Sequence, residues 1–422
     1  MSSPPHAPGL SDPIQVPQAL YVHLPFCTAI CTYCDFAVER YAAARAARYL
    51  EALERELRAR TTALKTQFGL AEKFRPRTIF LGGGTPTAFD IPELTRFFEI
   101  LERYVDLRGA VEFTIEANPG TVDAAKLEFL LKRGVDRLSL GVQSFQPKSL
   151  QLLGRVHGAD QGPEAIVAAR AAGFKNISID LMHGLPGQTP QDLRDDLERA
   201  IALGTDHISA YGLMYEDGTP LQSAVARGIV APLTPEEEAD HFHTVMETIE
   251  RAGWHQYEIS NFARPGFESE HNQMYWRNEA YLGVGVGSAT SIGGERNVND
   301  DTLDGYIRAA MACGDAVATR ERLDPVARAG EALMLELRMR RGVDLSEFSR
   351  RWGVDLFVND GGGENAARQT PPAPPFQGGE NGRARALERN IREGLMERLA
   401  DGKIRITQRG LPVSDGILAD FV

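Results

Sequence analysis

The sequence predicts an α/β fold in which six strand–helix units form a partial (β/α)6, TIM-like barrel. Short apolar runs alternate with longer amphipathic stretches from residue 19 to about residue 215, which favours parallel strands joined by right-handed crossovers. The count of six units falls short of the eight in a closed barrel. Polar motifs at the strand ends favour the barrel over a doubly wound sheet, which is the structural alternative.

The predicted strands are recognised as apolar runs bounded by turn residues. In chain order they are ALYVHL (19–24), TIFLGG (78–83), EFTIEA (112–117), RLSLGV (137–142), NISIDL (176–181) and HISAYGL (207–213). The stretches between them carry apolar residues at helical spacing. They include residues 48–61, 93–105, 163–173 and 191–204.

The rest of the chain divides by composition. Residues 1–18 are rich in proline and small polar residues and contain no apolar signal-peptide core, so they predict a disordered lead-in before the barrel of residues 19–235. Residues 236–315 are expected to cap the barrel. Residues 316–422 predict a small helical domain that ends in a hairpin and closing helix within 404–422. An insert rich in glycine and proline, 358–386, is expected to be disordered.

Bulk composition excludes some classes of function. The net charge of −12 argues against wholesale nucleic-acid binding, which requires a basic face. Four cysteines in 422 residues fit a reducing cytoplasm, where thiols can bind metals. The sequence has no run of about 18 apolar residues that would span a membrane. A cytoplasmic protein is therefore expected, with peripheral membrane contact and homodimer formation left open.

Three cysteines lie within eight residues, directly after the first predicted strand. Cys27, Cys31 and Cys34 have the spacing C-x3-C-x2-C, which leaves only Cys313 elsewhere in the chain. Three thiolates on one loop can hold three irons of a cubane cluster and leave the fourth iron without a protein ligand. A zinc site completed by His23 or Asp35 is the alternative that the spacing leaves open.

This spacing, with the aromatic residue Tyr33 directly before the third cysteine, resembles the signature of the radical S-adenosylmethionine (SAM) superfamily. The resemblance implies a [4Fe–4S] cluster on Cys27, Cys31 and Cys34 whose unique iron is chelated by SAM. It also implies reductive cleavage of SAM to a 5′-deoxyadenosyl radical. The superfamily core is a partial (β/α)6 barrel, which agrees with the six units counted above.

Polar motifs at the other strand ends predict a single site, because ligands bind beyond the carboxyl ends of parallel strands. The three glycines of GGGTPT (82–87) have no side chains, so a ligand can approach the backbone there. The motif resembles the radical SAM motif that contacts the amino group of the methionine part of SAM. Further positions resemble SAM contacts in the oxygen-independent coproporphyrinogen oxidases. The resemblance assigns SAM binding to Tyr21, Tyr33, Gly83, Gly84, Thr85, Glu116, Gln143, Arg155, Asp180 and Ala210.

The sequence HNQMYW (271–276) narrows the resemblance. The pattern H-N-x-x-Y-W is similar to that of HemW-type proteins, which resemble the coproporphyrinogen oxidases but serve as heme chaperones. The resemblance implies heme binding, with His271 as an axial ligand and Tyr275 and Trp276 lining a flat apolar face. The alternative is that His271 and Asn272 form a hydrogen-bonded core pair beside the barrel mouth.

Phe36 separates these relatives. True coproporphyrinogen oxidases carry a fourth cysteine at this position, whereas the Cys-Asp-Phe sequence here resembles HemW-type proteins. We therefore expect heme binding and delivery to heme-dependent respiratory proteins, a HemW-type function. Two enzymatic alternatives are retained, an oxygen-independent coproporphyrinogen III dehydrogenase, which Phe36 disfavours, and a radical SAM methylase. The HemW resemblance also implies that residues 316–422 form a winged-helix-like C-terminal domain.

Overall fold

The computed structural model describes residues 15–354, 356–357 and 381–422. These residues form two compact units. The larger comprises residues 15–275 and 279–321, and the smaller comprises 276–278 and the described residues from 322 onward. The predicted lead-in lies outside the described residues up to residue 14, and the predicted insert lies outside them from 358 to 380.

The described residues contain 16 strands and 14 α-helices. The strands are β1 Ala19–Leu24, β2 Phe26–Cys27, β3 Glu39–Arg40, β4 Thr78–Gly83, β5 Glu112–Ala117, β6 Arg137–Gln143, β7 Asn176–His183, β8 His207–Gly212, β9 His255–Gln256, β10 Asn261–Ala263, β11 Tyr281–Val284, β12 Ala289–Ile292, β13 Glu295–Asn299, β14 Val317–Arg322, β15 Met396–Arg398 and β16 Ile404–Ile406. The helices are α1 Ala43–Phe68, α2 Ile91–Tyr104, α3 Ala124–Lys132, α4 Pro147–Leu152, α5 Gln161–Ala172, α6 Pro190–Ala202, α7 Pro220–Ala226, α8 Pro235–Arg251, α9 Glu270–Trp276, α10 Leu303–Cys313, α11 Pro325–Leu337, α12 Leu345–Trp352, α13 Asn381–Arg392 and α14 Ser414–Ala419.

Six parallel strands form the centre of the larger unit and confirm the predicted fold class. They are adjacent in the order β1, β4, β5, β6, β7 and β8, so each strand pairs with the next one in the six predicted units. Every pair is parallel, as the registers of Ala19 with Thr78 and of Ser178 with His207 illustrate. The strands are largely buried on both faces because helices cover the outside of the arc, as is usual for parallel sheets.

Residues 236–315, expected only to cap the barrel, also extend its sheet at both edges. Strand β11 pairs parallel with β1, and β12 and β13 continue that edge antiparallel. At the other edge β10 pairs antiparallel with β8, and β9 follows it. These strands have two to five residues, too few to show a clear period-2 pattern in the sequence.

A buried carboxylate joins α1 to the segment after β11. The Glu56 side chain is fully buried, and it accepts hydrogen bonds from Gly285 N at 2.8 Å, Asn299 Nδ2 at 2.7 Å and Tyr306 Oη at 2.7 Å. Arg60 Nε lies 3.5 Å from the carboxylate. Burial raises the pKa of Glu56, but these partners satisfy its oxygens, as a buried charge requires.

The smaller unit is mainly helical and corrects two boundaries. The hairpin pairs β15 with β16 and spans Met396–Ile406, so it begins before the predicted range 404–422. Most of that range after Ile406 forms other structure, including the 3-10 helix Leu411–Val413. The closing helix α14 is present as predicted. Residues 381–386, predicted to belong to the disordered insert, begin α13, whose alanine, leucine and arginine content favours a helix.

Candidate functional site

A cavity of about 520 Å³ opens at the carboxyl ends of the parallel strands, within the larger unit. Cys27, Cys31 and Cys34 all line it. Eight of the ten residues predicted to bind SAM also line it, namely Tyr33, Gly83, Gly84, Thr85, Glu116, Gln143, Arg155 and Asp180. The fold therefore brings together residues that are as far as 153 positions apart in the chain.

Hydrogen bonds made by Thr32 fix the cysteine loop to the barrel. Thr32 donates from its backbone N to Leu153 O at 3.1 Å and from its hydroxyl to Leu152 O at 2.7 Å. Leu221 N in turn donates to Thr32 O at 2.9 Å. The loop is thus attached to the C-terminus of α4 and to α7, which lie more than 100 residues away in sequence. This attachment holds the middle of the cysteine motif in place.

A chain of polar contacts connects two of the three sulfurs. Arg155 Nη1 lies 3.4 Å from Cys31 Sγ, and Arg155 Nη2 donates to Asn118 Oδ1 at 2.5 Å. Asn118 Nδ2 donates to Thr85 Oγ1 at 3.0 Å, and Thr85 Oγ1 lies 3.6 Å from Cys27 Sγ. Such donors to ligand sulfurs orient them and tune the potential of a bound cluster. The sequence showed Asn118 only as part of a strand-end motif, without a role.

The donor set fits a cluster better than a single metal ion. Within the described ranges, no three His, Cys, Asp or Glu side chains converge closely enough to hold one ion, whereas a zinc site requires its ligands to meet at about 2.0–2.3 Å from one point. A cubane cluster is held at separate corners, so its cysteines need not converge. His23, the residue suggested to complete a zinc site, has both ring nitrogens engaged by Tyr21 Oη and Ala37 O.

Two glycines of the GGGTPT motif are required by close packing. Gly83 has φ of +107°, and a Cβ there would lie 2.5 Å from the His23 ring. A Cβ on Gly84 would lie 2.7 Å from the backbone carbon of Pro25. Only glycine therefore lets β4 end so close to β1. As a result, the backbone N of Gly83 donates to Glu116 Oε2 at 3.2 Å at the cavity wall.

Two carboxylates line the cavity beside one buried cation. Burial and the neighbouring Asp180 raise the pKa of Glu116 to about 8, and burial also raises the pKa of Asp180. Ser139 Oγ donates to Asp180 Oδ1 at 3.1 Å. Arg137 is 3% exposed and lowers the pKa of both acids through its charge. Carboxylates of this kind can accept hydrogen bonds from a diol such as ribose.

Gln143 has an unusual backbone conformation. Its φ is +68°, in the left-handed region that few residues other than glycine adopt, and the pairing of β6 with β7 shifts register between Gly141 and Gln143. A bulge of this kind redirects a side chain, and Gln143 lines the cavity. Backbone strain is tolerated most often at functional sites, which supports the prediction that Gln143 contacts a ligand.

Two of the predicted SAM contacts are not in the cavity wall. The Tyr21 hydroxyl is hydrogen-bonded to His23 Nδ1 at 3.1 Å, and its ring stacks on Phe80. Ala210 is 3% exposed, and its backbone N donates to Ser260 O at 2.8 Å. Both residues lie behind the cavity lining, so they support neighbouring side chains in this structure.

His271 lies at the opposite end of the barrel from the cysteines, whereas the alternative to heme ligation placed it in a core pair beside the barrel mouth. Its ring contacts Thr78, the first residue of β4, and its backbone N donates to Glu112, the first residue of β5. Six-residue strands separate these two ends by roughly 16 Å, at about 3.3 Å per residue. Helix α9 therefore closes the barrel at the amino ends of the strands, and Asn272 forms part of the cavity floor.

Both ring nitrogens of His271 are engaged. Nδ1 is hydrogen-bonded to Thr78 Oγ1 at 2.8 Å and Nε2 to Tyr275 Oη at 3.0 Å. The side chain is 1% exposed, and burial lowers the pKa of His271 to about 3. Tyr275 packs edge-on against His271 and Tyr281, so it forms no open apolar face. In this arrangement His271 offers no nitrogen to a heme iron.

The structure also adds cavity residues that sequence reasoning missed. They are Arg137, Ser139, Ser209, Tyr211 and Met214. Arg137 and Ser139 precede Gly141 and Gln143 at alternate positions of β6, and alternate residues of a strand face the same side. Following this alternation back toward the start of β6 identifies Arg137 and Ser139, and the same alternation along β8 identifies Ser209. Met214 follows β8 in a loop, where no periodic signal exists.

Comparison with known proteins extends the similarity beyond this site. Residues 21–200 match the Radical SAM superfamily. The Heme chaperone HemW of Bacillus subtilis (strain 168) is 38% identical over 346 residues, which cover 80% of this chain and 88% of that protein. The Heme chaperone HemW of Escherichia coli (strain K12) is 35% identical over 64% of this chain and 69% of that protein.

A solved structure shares the fold over most of the chain. Coproporphyrinogen III oxidase (HemN) from Escherichia coli, described as a radical SAM enzyme, superposes with a TM-score of 0.78 and covers 96% of this chain and 90% of its own. Its sequence identity is 22%, so this likeness establishes the fold and carries no statement about activity.

Proposed function

Because the chain belongs to the HemW family of heme chaperones, within the radical SAM superfamily, we propose that it binds heme and delivers it to heme-dependent proteins. The observation that carries this proposal is the 38% identity to a heme chaperone across 88% of that protein's length. The similarity spans both units rather than the barrel alone, since it covers 80% of this chain.

We further propose that Cys27, Cys31 and Cys34 hold a [4Fe–4S] cluster and that SAM binds in the adjacent cavity. Three observations support this proposal: the sulfurs line the same cavity as Glu116 and Asp180, they do not converge on one point, and a polar chain reaches two of them. A bound cluster with SAM would supply one-electron chemistry at the open iron position.

The residues of this chain would bind and orient SAM. Glu116 and Asp180 would accept hydrogen bonds from the ribose hydroxyls, and the open backbone at Gly83 and Gly84 would contact the amino-acid portion. Arg155 already engages Cys31, Asn118 and the carbonyl of Gly141. Its charge would hold the cysteine loop and the SAM carboxylate together.

Phe36 favours the chaperone over a coproporphyrinogen dehydrogenase. Its side chain lines the cavity at the position where the sequence resemblance expects a fourth cysteine in that enzyme. A phenyl ring supplies apolar surface and no metal ligand. The finer proposal of respiratory recipients is supported by the family resemblance, and a cytoplasmic location by the low cysteine content. No helix in the described parts of the chain is long and apolar enough to cross a membrane.

The test is transfer of heme from the reconstituted protein to a heme-free recipient. The full-length chain is reconstituted anaerobically with iron and sulfide, loaded with heme, freed of excess heme by gel filtration and mixed with a heme-free b-type cytochrome. We expect the recipient to gain its heme spectrum faster than it does from the same concentration of free heme. A chain that retains no heme after gel filtration would contradict the proposal.

A further inference from the structure

Four large apolar side chains line the cavity and are exposed, and none of them has a part in the proposed binding of SAM. In the part of the chain that the structure describes, eleven large apolar side chains are exposed, and four of them line this one cavity. Ile30 is 49% exposed, Phe36 64%, Tyr211 42% and Met214 64%. Single exposed apolar residues are ordinary on a protein surface, but a cluster at the edge of a cavity indicates a binding surface.

These four residues, termed the apolar rim, come from the two ends of the parallel arc. Ile30 and Phe36 lie in the segment that follows β1, whereas Tyr211 is the next-to-last residue of β8 and Met214 follows that strand. β1 and β8 are the first and last strands of the six predicted strand–helix units, which define this arc, and β11 and β10 extend the sheet beyond them. A flat ligand across the mouth would therefore contact apolar side chains from both ends of the arc.

The cavity is too small to hold a macrocycle in addition to SAM and the cluster, so a second ligand would bind at the rim. About 520 Å³ is within the range of a site for one small molecule, and the proposed SAM and cluster would take up this space. A macrocycle bound at the same time has to lie at the mouth. His271 cannot reach it there, because His271 contacts the amino ends of the strands, roughly 16 Å away.

One rim side chain can face an iron atom. Methionine sulfur is an axial ligand in some heme proteins, and the Met214 thioether is on an exposed side chain. Tyrosine can also ligate heme iron as the phenolate, but burial and the neighbouring Asp180 raise the pKa of Tyr211 and keep its hydroxyl protonated. Phe36 and Ile30 provide apolar contact only.

We propose that heme docks on the apolar rim of Ile30, Phe36, Tyr211 and Met214, with the Met214 sulfur facing the iron. This inference rests on the proposed heme-binding function and names its site. The ring would lie above the SAM cavity with its propionates in solvent. Heme and SAM would then occupy neighbouring positions on the same side of the barrel.

The test uses three variants of the full, reconstituted chain. Met214→Asp places a charge on the rim, and Met214→Leu keeps an apolar side chain but removes the sulfur. Val167→Asp is the matched control, because Val167 is 65% exposed on α5 and does not line the cavity. Heme affinity is measured by difference absorbance, and iron content and SAM binding report on the cluster and the fold.

We expect Met214→Asp to weaken heme binding at least about tenfold, since the apolar contact of one side chain is lost. Val167→Asp should bind heme and SAM like the wild type, and the iron content of all three variants should match that of the wild type. Met214→Leu should shift the Soret maximum of bound heme, because the contact between the sulfur and the heme iron is lost. Wild-type heme affinity in Met214→Asp would refute the apolar rim as the heme site. An unchanged heme spectrum in Met214→Leu would refute the contact between the Met214 sulfur and the heme iron. A wild-type chain that binds no heme would instead refute the proposed function.

Discussion

At the scale of single residues, the acids of the cavity illustrate how a binding site costs stability. Glu116 is placed beside Asp180 in a buried wall, and the pKa of Glu116 rises to about 8 as a result. The folded chain therefore binds a proton that the unfolded chain releases near pH 4.3. Stability contributed by this proton is complete below about pH 4 and is lost as the pH rises toward 8.

Replacing Glu116 by Gln should remove this pH dependence. Before cluster and SAM are added, we expect the variant to be more stable than the wild type at pH 8, by an amount on the order of 2 kcal/mol, with little difference at pH 4. SAM binding should weaken most above about pH 8, where the wild-type side chain is ionised and accepts more hydrogen bonds than an amide. Urea denaturation at several pH values measures the first effect. An equal stability difference at pH 4 and pH 8 would refute the pKa assignment.

Replacing His271 is expected to lower the stability of the protein without changing the spectrum of bound heme. Its two hydrogen bonds join Thr78 to Tyr275 in the barrel floor, so His271→Ala should lower the free energy of unfolding by about 2–3 kcal/mol. The absorbance maximum of bound heme should stay unchanged, because no ring nitrogen is free. A shifted heme spectrum in a variant of normal stability would instead assign His271 as a ligand.

At the scale of elements, α1 depends on a single buried carboxylate. Replacing Glu56 by Ala leaves Gly285 N, Asn299 Nδ2 and Tyr306 Oη without their shared acceptor. We expect a loss of about 3 kcal/mol in the free energy of unfolding. Glu51→Ala, on the exposed face of the same helix, is the control and should change stability by less than about 0.5 kcal/mol. Similar losses for both variants would show that Glu56 has no special role.

The elements also show where sequence reasoning succeeds. All six parallel strands were predicted because each is an apolar run of six to eight residues followed by glycine or polar residues. Strands β9 to β13 were not predicted, since pairing with the sheet edge, and not local composition, makes these short segments extended. The position of α9 at the amino ends of the strands could not be read from HNQMYW, because local sequence does not specify which end of a barrel a helix closes.

At the scale of the whole molecule, chain order explains why the candidate site was largely predictable. Consecutive parallel strands bring their carboxyl ends to one edge, so residues that follow different strands meet there without any knowledge of distant contacts. Cys27, Gly83, Glu116 and Asp180 were found in this way. Asn118 and Arg137 acquire their roles through side-chain contacts across strands, and Met214 lies in a loop. Asn118 and Met214 have no periodic signal in the sequence, whereas the position of Arg137 follows from the alternation along β6.

The most direct test of the account is to determine iron, sulfide and SAM per chain in the anaerobically reconstituted protein and in its Cys31→Ala variant. We predict about four irons, about four sulfides and one SAM per wild-type chain, as one [4Fe–4S] cluster with an open iron requires. The variant should lose nearly all of the cluster absorbance and its SAM binding. One zinc ion in place of the irons, or an intact cluster spectrum in Cys31→Ala, would contradict the assignment of the three cysteines.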